Sequence, residues 1–169
     1  MHPLQTMQYC PSCGSKHFAI DTDRSRCCSD CGFTLYSNAA AAVAAIITDA
    51  KGRILLTTRA FDPAKGKLDL PGGFVDHNET AEQALRREIQ EELGVEITDI
   101  SYLSSESNIY PFGGLEVHTL DLFFTAHIAP NATLTPNDDV RSAQFYKLSN
   151  VIINEIGLPS IRKVLSRRL

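Results

Sequence analysis

Three glutamates near the end of a predicted helix carry the strongest chemical signal in the sequence. Residues three and four apart are surface neighbours on a helix, so Glu88, Glu91 and Glu92 gather on one side of the segment 80–93. That side also holds the apolar positions that should pack on the protein core, namely Ala81, Ala84, Leu85 and Ile89. Gathered carboxylates repel one another, and burial and the negative helix end add to the cost. A divalent cation such as Mg²⁺ or Mn²⁺ would remove this conflict, whereas the alternative is an ordinary solvated acidic face.

The predicted helix has a recognisable start and end. Thr80 can cap the first turn, and Gln83 three residues later completes a capping box. Gly94 stands where a left-handed residue is expected after the last turn. Arg86 and Arg87 lie between these ends, and we expect both to point away from the glutamates and to offset little of the repulsion.

Two pairs of cysteines near the start of the chain form a second chemical signal. Cys10 with Cys13, and Cys28 with Cys31, each have two residues between them and a glycine after them. Fourteen residues separate the pairs, just under the usual range for a four-cysteine tetrahedral Zn²⁺ site. Redox chemistry would instead need one isolated pair in a thioredoxin-like setting. We predict a closed, structural zinc site, with Cys27 as a spare thiol.

Composition divides the chain and limits its partners. All five cysteines fall within the first 31 of 169 residues, so we expect a zinc ribbon at 1–36 and a larger domain at 37–169. The 43% hydrophobic and 21% charged residues are typical of a globular protein. The formal net charge of -4 and the neutral balance within the ribbon give nucleic acid no support as a partner.

The elements that must position these groups are mostly strands. A strand, a tight turn and a second strand are predicted for residues 39–59, with turn chemistry from Asp49 to Gly52. Pro71, Gly72 and Gly73 form a bend before the acidic helix. Further strands are predicted at 97–105, 116–127 and 143–147, and a last helix at about 159–168. Mixed strands with few helices indicate a sheet covered by helices.

The residues around the acidic helix resemble a known family. Gly73, Glu79 and the segment from Arg87 to Val95 have the spacing of the Nudix box, with every specified position filled. Residues 38–169 are therefore similar to Nudix hydrolases. The resemblance implies an α/β fold of the Nudix kind, an α/β/α sandwich with a mixed sheet, preceded here by the small zinc ribbon.

The resemblance also implies roles for residues of the box. Glu79 would orient or ligate the metal, and Arg87 would hold the glutamates by a charge-assisted contact. Bound Mg²⁺ or Mn²⁺ would neutralise a diphosphate and activate water for attack at one phosphorus. The implied ligands are the carboxylates of Glu88, Glu91 and Glu92 and the carbonyl of Gly73.

The identity of the general base stays open. Glu88 and Glu92 are candidates from the box. Asp138 and Asp139 are candidates from a turn before the last strand, where relatives often carry a loop acid, and simple turn chemistry explains them equally well. Glu116 is a weaker candidate. We include Asp139 in the predicted catalytic set.

A zinc ribbon directly before a Nudix box is similar to the NADH pyrophosphatase group. That group carries a Ser-Gln-Pro-Trp-Pro-Phe-Pro-x-Ser segment, of which Ser107, Pro111 and Phe112 are kept here, with an aromatic ring at Tyr110. The resemblance implies a small-molecule nucleotide substrate such as NADH or ADP-ribose. Arg59, Tyr110 and Phe112 are the substrate-binding candidates, although the aromatic rings fit a core or loop role equally well.

Two other functions stay open. One is a Nudix hydrolase of nucleoside triphosphates or another activated metabolite, and the other is a Nudix-fold regulator that binds nucleotide without turnover. The intact glutamates argue against the regulator. The longest apolar run, residues 39–47, is too short to span a bilayer, and no secretory signal is visible, so we expect a cytoplasmic protein without membrane contact. Proteins of the NADH pyrophosphatase group are often dimeric, which implies a homodimer.

Overall fold

The computed structural model describes residues 1–148 and 150–168. The chain divides into two compact units. One unit comprises Met1–Ala40 and Ile109–His118, and the other comprises Ala41–Asn108 and Thr119–Leu169. The boundary between residues 36 and 37 that composition suggests stays a prediction.

The first unit contains a small antiparallel sheet. Its strands are β1 Phe18–Thr22, β2 Ser25–Cys28 and β3 Thr34–Tyr36, in the order β1-β2-β3, after a short helix α1 Pro3–Thr6. Cys10, Phe18 and Cys28 form its buried centre, with Phe33 and Leu35 packed against them. So small an apolar centre is typical of modules that a bound metal or disulfides stabilise.

The remaining described residues form two three-stranded sheets and three helices. The sheets have the orders β4-β8-β7 and β6-β5-β9. The strands are β4 Ala40–Ile47, β5 Ile54–Arg59, β6 Leu68–Asp69, β7 Thr98–Phe112, β8 Leu115–His127 and β9 Val140–Tyr146. The helices are α2 Ala81–Leu93, α3 Asn150–Glu155 and α4 Pro159–Ser166. No helix among these residues or in the ribbon is long and apolar enough to cross a membrane.

Strand β4 is buried on both faces, and this explains its continuous apolar sequence. Side chains alternate along a strand, so Val43, Ala45 and Ile47 face one way, into the core cluster that contains the buried side of α2. Ala44 and Ile46 face the other way, into the cluster that contains α4. Helices therefore cover both faces of the sheet layer.

Helix α2 forms as the sequence predicts. The Thr80 hydroxyl accepts a hydrogen bond from the Gln83 amide, and the Gln83 side chain accepts one from the Thr80 amide. Gly94 ends the helix in the left-handed conformation, with φ at 68°. The predicted apolar side is confirmed, since Ala84, Leu85 and Ile89 are fully buried.

The hairpin of β7 and β8 is longer than predicted. Strand β7 extends past its predicted end at residue 105 and ends at Phe112. The tight hairpin turn follows at Gly113 and Gly114, which both adopt the positive φ that such a turn requires. Pro111 is tolerated because β7 lies at the edge of its sheet. The sequence also did not predict α3, and the last helix ends at Ser166.

Candidate active site

The glycines before α2 are required by close packing. Val43 donates its backbone N–H to the Gly73 carbonyl at 2.8 Å, and Ala45 donates to the Pro71 carbonyl at 2.9 Å, so the bend runs alongside β4. A Cβ atom at Gly72 would overlap the backbone of Val43. A Cβ atom at Gly73 would overlap the carboxylate of Glu88. The bend thus brings backbone into direct contact with an acid of the predicted metal site.

Arg87 is the centre of an ion-pair network. Its Nε and Nη2 atoms contact the two carboxylate oxygens of Glu79 at 2.7 and 3.0 Å. Its Nη1 atom donates to Glu88 at 2.8 Å and to Glu91 at 3.1 Å, and Nη2 also donates to the Phe74 carbonyl at 3.0 Å. The expectation that this side chain points away from the glutamates is wrong, because the long arginine folds back along the helix. The charge-assisted contact implied by the family resemblance is present.

Glu92 is the most deeply buried of the three glutamates predicted to bind the metal. Only 4% of the residue is exposed, and its carboxylate accepts a hydrogen bond from the Gly72 amide at 2.9 Å. Burial and then the charge of Asp139 raise the pKa of Glu92 to about 10. Burial also raises the pKa of Glu88, against the opposing effect of Arg87. Glu92 therefore needs a cation nearby to be ionised at neutral pH.

Asp139 reaches the cluster through a loop fastened to the end of α2. Thr135 and Asn137 each donate a backbone N–H at 2.9 Å, to the carbonyls of Leu93 and Glu92 respectively. Asp139 is half-buried and its charge acts on Glu92. Asp138 is exposed, with φ at 55°, and has the geometry of a turn residue. The structure therefore brings Asp139 to the glutamates and assigns Asp138 to the turn.

Arg59 lies in the same cleft and is paired with a buried acid. Its Nη1 atom is 2.6 Å from a carboxylate oxygen of Asp69. Both residues line a narrow cleft together with Gly72, Glu92 and Asp139. Burial raises the pKa of Asp69 to about 6, although Arg59 opposes this effect.

Sequence reasoning missed Asp69. The signal that could have found it is a lone carboxylate between two leucines in the segment Leu68–Leu70. An acid at the centre of a short apolar strand is buried, and a buried acid needs a partner.

Three other predicted residues lie in the hairpin tip, within the first unit. Tyr110 is half-buried, and Phe112 is 68% exposed. Glu116 forms an ion pair with the amino group of Met1 at 3.5 Å. A role for these residues at the glutamates stays a prediction.

The four predicted cysteines converge on one point. The Sγ atoms of Cys10 and Cys31 are 3.7 Å apart, as are those of Cys13 and Cys28, and all four lie within 4.8 Å of one another. Four sulfurs at about 2.3 Å from a central zinc ion would be about 3.8 Å apart at tetrahedral angles. The donor set and its spacing therefore fit a tetrahedral metal ion.

The two knuckles share the same backbone geometry around their first cysteine. Gly14 and Gly32 adopt positive φ, at 75° and 74°, and each donates its amide to the carbonyl of the first cysteine of its knuckle. Burial opposes ionisation of Cys28, but hydrogen bonds from the backbone of Cys31 and Asp30 outweigh it and lower the pKa of Cys28 to about 7. Cys27 lies outside the cluster, with its sulfur 3.9 Å from the Cys28 carbonyl oxygen.

The fold and the acidic helix are those of the Nudix family. Residues 38–168 match the sequence profile of the NUDIX domain, which covers well over half of the chain, and the chain therefore belongs to this family. A crystal structure of a NUDIX hydrolase from Nitrosomonas europaea superposes with a TM-score of 0.71 at 25% identity, over 95% of this chain and 89% of that one. The predicted resemblance and the predicted sandwich with its ribbon are confirmed.

Two curated relatives share part of their length with this chain. Both are described as NAD-capped RNA hydrolase NudC. The protein from Deinococcus radiodurans is 31% identical over 146 residues, which cover 85% of this chain and 50% of the relative. The protein from Pseudomonas aeruginosa is 28% identical over 141 residues, which cover 83% of this chain and 48% of the relative. The chain thus spans about half the length of the curated relatives it matches.

Proposed function

We propose that this chain is a divalent-metal-dependent diphosphohydrolase that cleaves a nucleoside diphosphate linked to another group, with NADH and ADP-ribose as the leading substrates. The observation that carries the proposal is the burial of Glu92 beside Asp139 and Glu88. In this position the carboxyl of Glu92 is ionised near neutral pH only when a cation lies beside it. The names of the NudC relatives, which refer to NAD, support the substrate class.

The residues present suit hard cations. The proposed ligands for Mg²⁺ or Mn²⁺ are the carboxylates of Glu88, Glu91 and Glu92 and the second lone pair of the Gly73 carbonyl. Such ions, when bound, neutralise diphosphate oxygens and lower the pKa of water. Arg87 and Glu79 hold the carboxylates in place by the contacts described above.

We propose Asp139 as the proton acceptor. It stands beside Glu92, and its loop is fixed to α2 by two backbone hydrogen bonds, so its position does not depend on substrate. A water molecule that loses its proton to Asp139 attacks one phosphorus, and the bond from that phosphorus to the bridging oxygen breaks. The other phosphate leaves with that oxygen, and Arg59 in the same cleft is the proposed cation for the substrate's phosphates.

The ribbon is proposed to hold one structural Zn²⁺ on its four thiolates, because the sulfur spacing fits that ion. Unlinked thiols are typical of a reducing compartment, which supports a cytoplasmic location. A homodimer follows from the family resemblance and is tested by sedimentation of the purified protein. The expectation that nucleic acid is not a partner rests on charge alone, and the relatives' names make RNA with an NAD cap a substrate to test.

One assay panel tests the proposed function. The purified chain, with Mg²⁺ or Mn²⁺, is offered NADH, ADP-ribose, an NAD-capped RNA oligonucleotide, a diadenosine polyphosphate and nucleoside triphosphates, and products are separated by chromatography. The proposal expects the highest kcat/KM on one of the first three, with two monophosphate products from NADH or ADP-ribose. Preference for triphosphates would support the alternative hydrolase, and nucleotide binding without any turnover would support the regulator.

A further inference from the structure

A buried ion pair lies next to the proposed metal site without being part of it. Arg59 and Asp69 approach to 2.6 Å with only 12% and 6% of their side chains exposed. Asp69 faces Thr57 across the β5–β6 register, and Arg59 lies two residues further along β5, so both side chains project from the same face.

Backbone and side-chain contacts hold both members of this pair. One oxygen of Asp69 accepts the Leu70 amide at 2.9 Å, and the other accepts from Nη1 of Arg59. Nε of Arg59 donates to the Pro63 carbonyl at 2.6 Å. Nε of the guanidinium is therefore held by a backbone carbonyl, and Nη1 is held by a carboxylate that itself accepts a backbone hydrogen bond.

The strand geometry places this arginine beside the loop that carries Asp139. The β5–β9 register shifts between Thr58 and Arg59, so that Arg59 pairs with Val140, the residue after Asp139. Bulges of this kind often re-aim a side chain next to an active site. The Ala60 amide also donates to the Asp139 carbonyl at 2.7 Å, so the end of β5 and the proposed base move together.

The need to stabilise β6, a strand of two residues, does not by itself explain this buried ion pair. Taking two charges out of water costs more than packing apolar side chains of similar size. By contrast, an arginine held in advance binds phosphate oxygens with little further loss of side-chain freedom. A functional role explains both the burial of the pair and its place in one cleft with Glu92 and Asp139.

We infer that Asp69 is a positioning residue, which holds the guanidinium of Arg59 so that Arg59 binds the phosphate oxygens of a diphosphate substrate beside the metal site. This inference rests on the proposed function, since it names the part of the same cleft that holds the diphosphate. It predicts that Asp69 acts on substrate binding through Arg59 and leaves binding of the activating metal unchanged.

The test compares Asp69→Asn with the wild type, using ADP-ribose as the probe. The asparagine keeps an acceptor for the Leu70 amide but removes the charge that holds Arg59. We expect KM to rise about 10- to 100-fold, as for the loss of a charged hydrogen bond, while kcat and the Mg²⁺ concentration for half-activation change less than about twofold. Glu155→Gln is the matched control, because it removes the exposed ion pair with Lys67, and it should behave as wild type.

A double-mutant cycle separates positioning from simple stability. The loss in Arg59→Lys and the loss in Asp69→Asn should not add in the double variant, because both remove the same contact. Free guanidinium ion should partly restore the activity of Arg59→Ala when residue 69 is aspartate. It should not restore the activity of the double variant that also carries Asp69→Asn. Three results would overturn the inference: losses of activity that add in the double variant, equal rescue by guanidinium ion with and without the Asp69 carboxylate, or an unchanged KM in Asp69→Asn.

Calorimetry of ADP-ribose binding distinguishes this inference from the proposed function. If wild type binds ADP-ribose without hydrolysing any substrate, and Asp69→Asn weakens that binding, the hydrolase proposal alone fails. If wild type is active and Asp69→Asn keeps its KM, the inference alone fails, and if wild type neither binds nor hydrolyses, both fail. Should Asp69→Asn lose its fold by circular dichroism, Asp69→Glu takes its place, with the same shift in KM expected because its longer side chain displaces Arg59.

Discussion

The carboxylate of Glu92 accepts a hydrogen bond from the amide of Gly72 at 2.9 Å, and this contact joins the bend before α2 to the most buried acid of the cluster. This hydrogen bond favours the ionised form of Glu92, whereas burial and the charge of Asp139 favour the protonated form. Backbone donors alone do not offset this opposition, so the acid keeps its proton until a cation arrives. The proposed requirement for a divalent metal thus follows from where the fold places one side chain.

Glu92→Gln should abolish most of the metal-dependent activity while leaving the fold intact. The amide keeps the size of the side chain and an acceptor for Gly72 but cannot supply a charged oxygen to a cation. We expect kcat/KM to fall about 100-fold or more, measured on the best substrate of the panel. Glu82→Gln, an exposed glutamate in the first turn of the same helix, is the matched control and should keep wild-type activity. Full activity in Glu92→Gln would refute the metal assignment.

The stability of the metal-free protein should fall as pH rises above about 5. An unfolded chain loses the Glu92 proton near the ordinary pKa of 4.5, whereas the folded chain keeps it up to about pH 10. Unfolding therefore releases a proton in this window, and the free energy of unfolding decreases by roughly 1 kcal/mol per pH unit. Below the ordinary pKa this loss is absent, because both states are protonated.

Chemical denaturation at pH 6 and pH 8, in Mg²⁺-free buffer and with Mg²⁺, measures this dependence. Mg²⁺ should stabilise the protein more at pH 8, because it binds the ionised acid. Since His17 also has a raised pKa and contributes to the same window, the Glu92→Gln variant serves as the reference. A pH slope that is equal in wild type and Glu92→Gln would show that this carboxyl titrates normally.

Cys13→Ser should remove the structural metal, whereas Cys27→Ser should not. Cys13 is one of the four converging thiols, while Cys27 lies outside them, so the two variants remove the same group from the same module. Metal analysis of freshly purified protein should give about one zinc per chain for wild type and Cys27→Ser, and far less for Cys13→Ser. Limited proteolysis should then cut Cys13→Ser within residues 1–40. Equal zinc content in both variants would contradict the assignment of Cys13 as a ligand.

The sequence predicted the groups that follow from local spacing and missed those that depend on distant pairing. The acidic helix, its caps and the cysteine knuckles are set by residues a few positions apart, and all of them form. The direction of Arg87 was wrong because a helical projection places the Cα atom and not the end of a long side chain. Asp69 was missed because its partner becomes a neighbour only when β5 and β6 pair.

The choice between Asp138 and Asp139 shows the same limit. Both stand in the same turn sequence, and their separate positions depend on the left-handed backbone at Asp138 and on the hydrogen bonds of the loop to α2. Neither feature leaves a distinct signal in the residue types. The full length of β7 could have been predicted from the sequence, because two consecutive glycines, Gly113 and Gly114, are a known signal for a hairpin turn.

Gly73→Ala should disturb the metal site by contact alone. Gly73 does not adopt a positive φ, so alanine introduces no backbone strain, but its methyl group would overlap the Glu88 carboxylate. Glu88 must then move away from Arg87 and from the other acids. We expect a loss of stability of about 1–3 kcal/mol, as for overpacking, together with an increased Mg²⁺ requirement for activity.

Gly52→Ala is the control. Alanine at φ 70° is strained, but no atom lies within 4 Å of the added Cβ. That variant should lose about 1 kcal/mol of stability with an unchanged Mg²⁺ requirement. If Gly73→Ala needed no more Mg²⁺ than Gly52→Ala, the close contact between the bend and Glu88 would have no part in holding the cation.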